Sequence, residues 1–146
     1  MVLDGRALAP GRASGQALVL DEPLSFWGGI EAKTGLVIDE RHPQARANVR
    51  GKILVMPSGR GSSSSSSVLA EAIRSGTAPS GIVLAEPDGI LALGALVAGR
   101  LYGKACPVVV LGIEAYEAIR SGFGVTVDTQ AGSTSARVTI DTGPKP

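Results

Sequence analysis

Three short runs in this chain are apolar at nearly every position: Lys52-Ile53-Leu54-Val55-Met56, Gly81-Ile82-Val83-Leu84-Ala85 and Cys106-Pro107-Val108-Val109-Val110-Leu111-Gly112. Continuous rather than alternating hydrophobicity over so few residues predicts strands buried on both faces. The segments between them change period. Val68, Leu69, Ala72 and Ile73 fall on one face of a helix that starts within a run of serines, and Gly76 suits its C′ position. Ile90 to Tyr102 alternates small and large apolar residues at helical spacing, and Glu114 to Ser121 reads as a short helix ending at Gly122. Earlier, Val2 to Leu8 and Gly15 to Leu20 read as strands, and Gly35 to Asp39 as a short one before His42-Pro43. Later, GVTVDT and ARVTI form a closing hairpin around Gln130-Ala131-Gly132-Ser133. Strands, then three strand–helix units, then strands again predict a mixed β/β/α domain of the α/β class with parallel central strands. No repeat or linker divides it, so residues 1–146 are expected to be a single domain.

Composition narrows the classes of function. The chain is 44% hydrophobic but only 3% aromatic, so the core must be built from Val, Ile, Leu and Ala. A net charge of +1 without a basic block argues against nucleic acid or an anionic membrane as partner. The single cysteine, Cys106, rules out an internal disulfide and cannot alone hold a metal cluster. The longest apolar stretch, near Ile90 to Val97, is too short to span a bilayer, and the start does not resemble a signal peptide; a cytoplasmic location is expected.

The stretch PSGRGSSSSSSVLAEAI, Pro57 to Ile73, carries the candidate chemistry. A strand that ends in Gly-x-Gly and enters a helix gathers unpaired N–H groups at the positive end of the helix dipole, a place suited to carboxylate or phosphate. Gly59 and Gly61 allow the bend, and Ser62, Ser63 and Ser64 add hydroxyls, any of which could instead simply cap the helix. The turn lacks the lysine of a Walker loop and the third glycine of a dinucleotide fingerprint. A stand-alone phosphate-binding domain is therefore disfavoured.

With LSFWGG, IDERHP, GKILVMPSGRGSSSSSS, RSGTAPSGIVLAEPDGILALGALVAGRLYG and CPVVVLG in order, the chain resembles the small subunit, or swivel domain, of the aconitase X family over about Leu24 to Gly112. The resemblance implies an aconitase-like swivelling β/β/α fold that works as a heterodimer with a large aconitase X subunit. That partner, not this chain, would hold an iron or iron–sulfur cofactor; no metal ligand is expected here. Family members dehydrate a small hydroxy acid, either cis-3-hydroxy-L-proline or mevalonate 5-phosphate. The wider superfamily has a Gly-x-Gly-Ser-Ser-Arg turn whose first serine is the base. Gly59-Arg60-Gly61-Ser62-Ser63 matches it, which places Ser62 in the base position, but Ser64 stands where the arginine should follow. The expected reaction is β-elimination of water. Ser62 takes the proton α to the carboxylate, the partner's iron acts on the departing hydroxyl, and backbone amides of Gly61, Ser63 and Ser64 hold the carboxylate, with Arg60 a candidate replacement cation.

Ten Arg against four Lys, and no cationic cluster for a phosphate, favour cis-3-hydroxy-L-proline over the phosphorylated substrate. A non-catalytic module that binds an anion and docks a partner is the alternative of another class. Trp27 with Gly28 and Gly29 is expected to line the pocket or the subunit interface, the competing reading being an isolated core Trp. His42 reads as a loop hydrogen-bonding residue, Asp88 of Glu86-Pro87-Asp88 as a helix cap, Cys106 as a small core residue opening a strand, and Arg74, Arg100 and Arg120 as solvated helix ends.

Overall fold

The computed structural model describes residues 1–130 and 132–141. Seven strands close into a barrel in the order β1(Val2–Ala9), β7(Val108–Val110), β6(Gly81–Leu84), β5(Ile53–Met56), β2(Arg12–Val19), β8(Gly124–Thr129) and β9(Ser135–Asp141), with β9 returning to pair with β1. β2, β5, β6 and β7 run parallel to their neighbours in that series, and the remaining pairings are antiparallel. A two-stranded ribbon, β3(Ile30–Glu31) with β4(Leu36–Val37), stands apart.

The all-apolar runs follow from this arrangement. On β5 the side chains of Ile53 and Val55 point into the barrel, where they meet Val83, Val109, Val125, Val127, Val138 and Ile140. Leu54 and Met56, on the opposite face, join Ile82, Leu84 and Val108 beneath Leu69, Ile73, Leu91, Ala95 and Ala98 of the two main helices. These are α2(Ser65–Ser75) and α3(Gly89–Tyr102), and their burial explains why β5 and β6 are apolar at each position. β9 has only one covered face, so its burial alternates residue by residue. Helices α2 and α3 lie so close that a Cβ on Gly94 would sit 2.6 Å from the Ser66 carbonyl oxygen.

Some expectations need correction. Barrel closure was not foreseen: the pairing of Val2 with Thr139 joins the two ends of the chain, and no local pattern encodes it. The helix expected from Glu114 to Ser121 is only α4(Ile113–Glu117). Beyond it Ala118 and Ile119 make tighter bonds to Ala115 and Tyr116, and the Gly122 N–H is taken by the Ala17 carbonyl, which hands the chain to β8. Arg120 therefore lies past the helix, while Arg74 and Arg100 do occupy last turns. Cys106 precedes its strand rather than opening it, because β7 starts after Pro107. The closing hairpin is present, although Ala131 of its expected turn lies outside the described residues.

Candidate functional site

Because β2, β5, β6 and β7 are parallel, the segments that follow them emerge at one rim, the usual place for a ligand on a parallel sheet. Leu24 and Phe26 arrive after β2, the Gly/Ser turn after β5 and Asp88 after β6. The first two loops are joined by a parallel bridge between Leu24 and Gly59. The Pro57 carbonyl accepts the N–H groups of Ala85 and Glu86, which ties the β5 loop to the β6 loop. Between them lies a cleft of about 90 Å³ with an apolar floor of Leu24, Phe26, Ile90 and Leu91 and a polar rim of Arg60, Gly61, Ser62, Ser65 and Asp88. Ligand pockets usually span about 300–1,000 Å³, so this chain supplies part of a site rather than a whole one.

Two helices begin at the cleft and differ in one respect that matters. At α3, Asp88 Oδ1 accepts from Ile90 N (2.9 Å) and Leu91 N (3.0 Å), so that helix start is closed by its own carboxylate. At α2, the N-cap Ser64 makes no side-chain cap bond. The chain enters that helix through a tight turn in which Ser65 N donates to the Ser62 carbonyl, and Ser64 N donates 3.0 Å to Ser62 Oγ. Among the described residues, neither Gly61 N nor Ser63 N donates to a protein acceptor. The α2 start is therefore the anion-receptive one. An N–H aimed at Ser62 Oγ, together with the helix dipole, favours the deprotonated oxygen over the hydroxyl.

The serine run is not uniform. Ser65 alone is buried, because it continues inward, one turn back, the stripe formed by Leu69, Ala72 and Ile73. Its Oγ accepts the Trp27 N–H at 3.0 Å. Ser25 Oγ donates to the Trp27 carbonyl at 2.8 Å, so the 3.3 Å contact between the two serines is donated by Ser65. The result is a closed ring of three hydrogen bonds that fastens the Phe26–Gly29 turn, labelled α1, to the first turn of α2. Gly61, at φ +91, passes so close that a Cβ there would lie 2.8 Å from Ser25 Oγ. Ser25 and Ser65 were not among the expected site residues, although the helical stripe already marks Ser65 as the inward serine.

The structure brings Arg60, Gly61 and Ser62 together in the cleft, while Ser63 and Ser64 continue the turn behind them. Ser64 N, expected to face a ligand carboxylate, donates to Ser62 Oγ in the free chain. Trp27, Gly28 and Gly29 lie outside the cleft lining. Trp27 is 59% exposed and is not a core residue. Its dihedrals and those of Gly28 are those of a type II turn, which requires glycine at the second position. Gly29 is small because Leu24 packs on it. Gly28 suits the turn and Gly29 the packing of Leu24 against it. Arg60 faces Glu22 at 3.9 Å with both side chains about half exposed, a contact weak enough to be exchanged for a substrate anion. His42 is buried: its Nδ1 accepts from Gln44 N and its Nε2 donates to the Glu22 carbonyl, so it fixes the loop that carries Glu22.

An iron–sulfur centre does not fit the donors of this chain. Among the described residues no group of three His, Cys, Asp or Glu could hold a metal. The Cys106 thiol is fully buried against the Pro79 carbonyl, and burial pushes its pKa up to about 12, far from the thiolate a cluster needs. No helix among the described residues is long and apolar enough to cross a membrane.

Comparison with known proteins agrees with this geometry. A family model described as the aconitase X swivel domain matches residues 2–136. A cis-3-hydroxy-L-proline dehydratase of Pseudomonas aeruginosa is 49% identical over 73% of this chain and 18% of its own length; the chain spans about a fifth of the dehydratases of that name. A phosphomevalonate dehydratase small subunit of Methanothermobacter thermautotrophicus is 41% identical over 68% of this chain and 76% of its own. The crystal structure of holo aconitase X from Thermococcus kodakaraensis superposes with a TM-score of 0.80 at 31% identity, covering 95% of this chain and 98% of that one. A rim of four parallel strands, an uncapped serine turn on it and a match along nearly the whole chain lead to one conclusion: the chain belongs to the aconitase X swivel-domain family.

Proposed function

We propose that residues 1–146 act as one swivel unit, the small subunit of a two-chain hydro-lyase that dehydrates cis-3-hydroxy-L-proline to a pyrroline-2-carboxylate. The observation that carries this reading is Ser62 Oγ, held on the cleft rim by the Ser64 N–H at the start of α2, whose N-cap makes no side-chain bond, unlike the Asp88-capped start of α3 at the same cleft. Ser62 removes the proton α to the substrate carboxylate. The electrons move to expel the hydroxyl from the neighbouring carbon as hydroxide, which takes the abstracted proton back from Ser62, so that water leaves and the serine returns to its deprotonated form. The N–H groups of Gly61 and Ser63 and the guanidinium of Arg60 steady the carboxylate as enolate character builds. Asp88, already neutralised in part by the N–H groups of Ile90 and Leu91, closes the far side of the cleft. The family relationship points to an iron–sulfur cofactor. We assign it to the large partner, whose chemistry when bound is Lewis-acid polarisation of the departing hydroxyl.

The two substrates of the family draw support from different findings. The 49% identity is to a cis-3-hydroxy-L-proline dehydratase, and Arg60 is the lone cationic side chain lining the cleft among the described residues, a poor site for a phosphate. Relatives of which this chain covers 76–96% are named phosphomevalonate dehydratase small subunits; they support the two-chain form and keep mevalonate 5-phosphate as the second reading. Reconstitution with an iron-loaded large subunit separates these readings. The pair is expected to consume cis-3-hydroxy-L-proline and to leave mevalonate 5-phosphate untouched, while the small chain alone is inert. Turnover of the phosphate ester instead overturns the substrate assignment, and turnover of neither overturns the enzyme reading.

A further inference from the structure

Helix α3 is apolar on both sides, and only one side is covered. Leu91, Ala92, Gly94, Ala95 and Ala98 face the sheet and α2. Leu93, Leu96, Val97 and Leu101 lie on the other side with 37–66% of their surface exposed. Their positions, i, i+3, i+4 and i+8, form one continuous stripe, and Arg100 is the only charge that interrupts it. An amphipathic helix on a finished surface would place polar residues here, and a helix hydrophobic all round is normally buried. The stripe forms a ridge. On one side a groove of about 260 Å³ runs between α2 and α3 past Leu93, Val97 and Tyr102; on the other a groove of about 530 Å³ runs past Leu96, Val97 and Pro10.

We infer that this outer face of α3 is the seat of the large subunit, an inference that rests on the dehydratase reading above. Two observations name the occupant. First, the same swivel region occurs as 18% of a long dehydratase chain and as 76% of a separate small subunit, so the remainder of the enzyme must be held without a covalent link in the second case. Second, the stripe is continuous with the incomplete cleft. Ile90 and Leu91 of the first turn of α3 floor the cleft, and Leu93 begins the bare ridge on the next turn. A partner that completes the cleft of about 90 Å³ from the α3 side meets this ridge at once, and the ridge supplies the apolar centre that a stable interface requires.

The test is association of this full chain with the purified large subunit, read by size exclusion and calorimetry without any assay of turnover. Leu96→Asp with Leu101→Asp should weaken association at least 100-fold, with unchanged circular dichroism and melting temperature of the free chain. A labelling measurement does not depend on that double variant folding. Cys106 is buried, so Leu101→Cys offers a single accessible thiol; maleimide labelling at position 101 should slow at least 10-fold in the complex, whereas Thr139→Cys on β9 keeps its rate. Assembly of the double variant at wild-type affinity, or position 101 labelled at the free rate within an assembled pair, overturns this docking face and leaves the dehydratase reading standing. If the wild-type chains never associate, the dehydratase reading fails and this inference fails with it. A homodimer that the double variant dissolves overturns it as well, by giving the face to a second copy.

Discussion

Gly59→Ala is the substitution whose consequence can be worked most fully from the geometry. Gly59 does not lie in the left-handed region, so alanine meets no backbone strain there, and outside a regular element such a change would ordinarily stabilise by about 0.4–1 kcal/mol through the unfolded chain. The obstacle is a contact. The added Cβ would sit 2.0 Å from Asp88 Oδ2 and 3.1 Å from its Cγ, so the carboxylate has to leave. With it goes the cap of α3, in which one oxygen serves both Ile90 N and Leu91 N. Loss of such a cap costs about 0.5–2 kcal/mol. The melting temperature of a domain of this size should fall by about 2–8 °C, read by circular dichroism or calorimetry. A double-mutant cycle isolates the cause. Asp88→Ala alone should cost about 1 kcal/mol by the same loss. In that background Gly59→Ala should cost less than about 0.5 kcal/mol, because only the Leu91 methyl, 3.3 Å from the added Cβ, remains to shift. Equal costs with and without Asp88 would refute the argument and show that alanine acts through some other contact.

Ser65→Ala opens the hydrogen-bonded ring and leaves the part-buried Trp27 N–H without its acceptor, at a cost of about 1–3 kcal/mol; Trp27 is the only tryptophan, so increased acrylamide quenching of its emission reports the loosened turn directly. Cys106 should resist a thiol reagent at pH 8 in the native chain and react at once when the chain is unfolded. Burial raises its pKa from 9.0 to about 12, so the native state holds its proton where the unfolded state loses it; stability is complete below pH 9 and declines as pH rises toward 12, a fall that Cys106→Ala should remove. Glu22→Gln removes a half-exposed ion pair of 3.9 Å and should change stability by less than about 1 kcal/mol in thermal melts, since the backbone of Glu22, not its side chain, is what His42 holds.

What the sequence disclosed and what it concealed have a common physical basis. Ile53–Met56, Gly81–Leu84 and Val108–Val110 were legible because burial on both faces leaves no room for polar residues, and that pattern survives in a single short window. Asp88 was legible because a cap is a local event. Barrel closure was not, since it depends on β1 meeting β9 from the opposite end of the chain. The site was half legible. The Gly/Ser turn identifies itself by composition, but six identical side chains conceal that Ser65 is sunk in the structure, Ser62 receives a backbone N–H, Ser66 is half-buried and bonds back to the Ser63 carbonyl, and the other three are exposed. The glycines beside Trp27 are ambiguous for a related reason: a glycine that suits a type II turn and one required by close packing look the same in the sequence as glycines that admit a ligand.

The central claim is that Ser62 takes a proton from carbon, and the measurement that reaches it most directly is solvent deuterium exchange at the substrate's α carbon, followed beside turnover in the reconstituted pair carrying Ser62→Ala. A positioned base contributes about 10²–10⁴-fold. Both rates should fall by at least about 10²-fold while the variant still assembles with the large subunit at wild-type affinity. A variant that assembles and still exchanges that hydrogen at close to the wild-type rate would contradict the account.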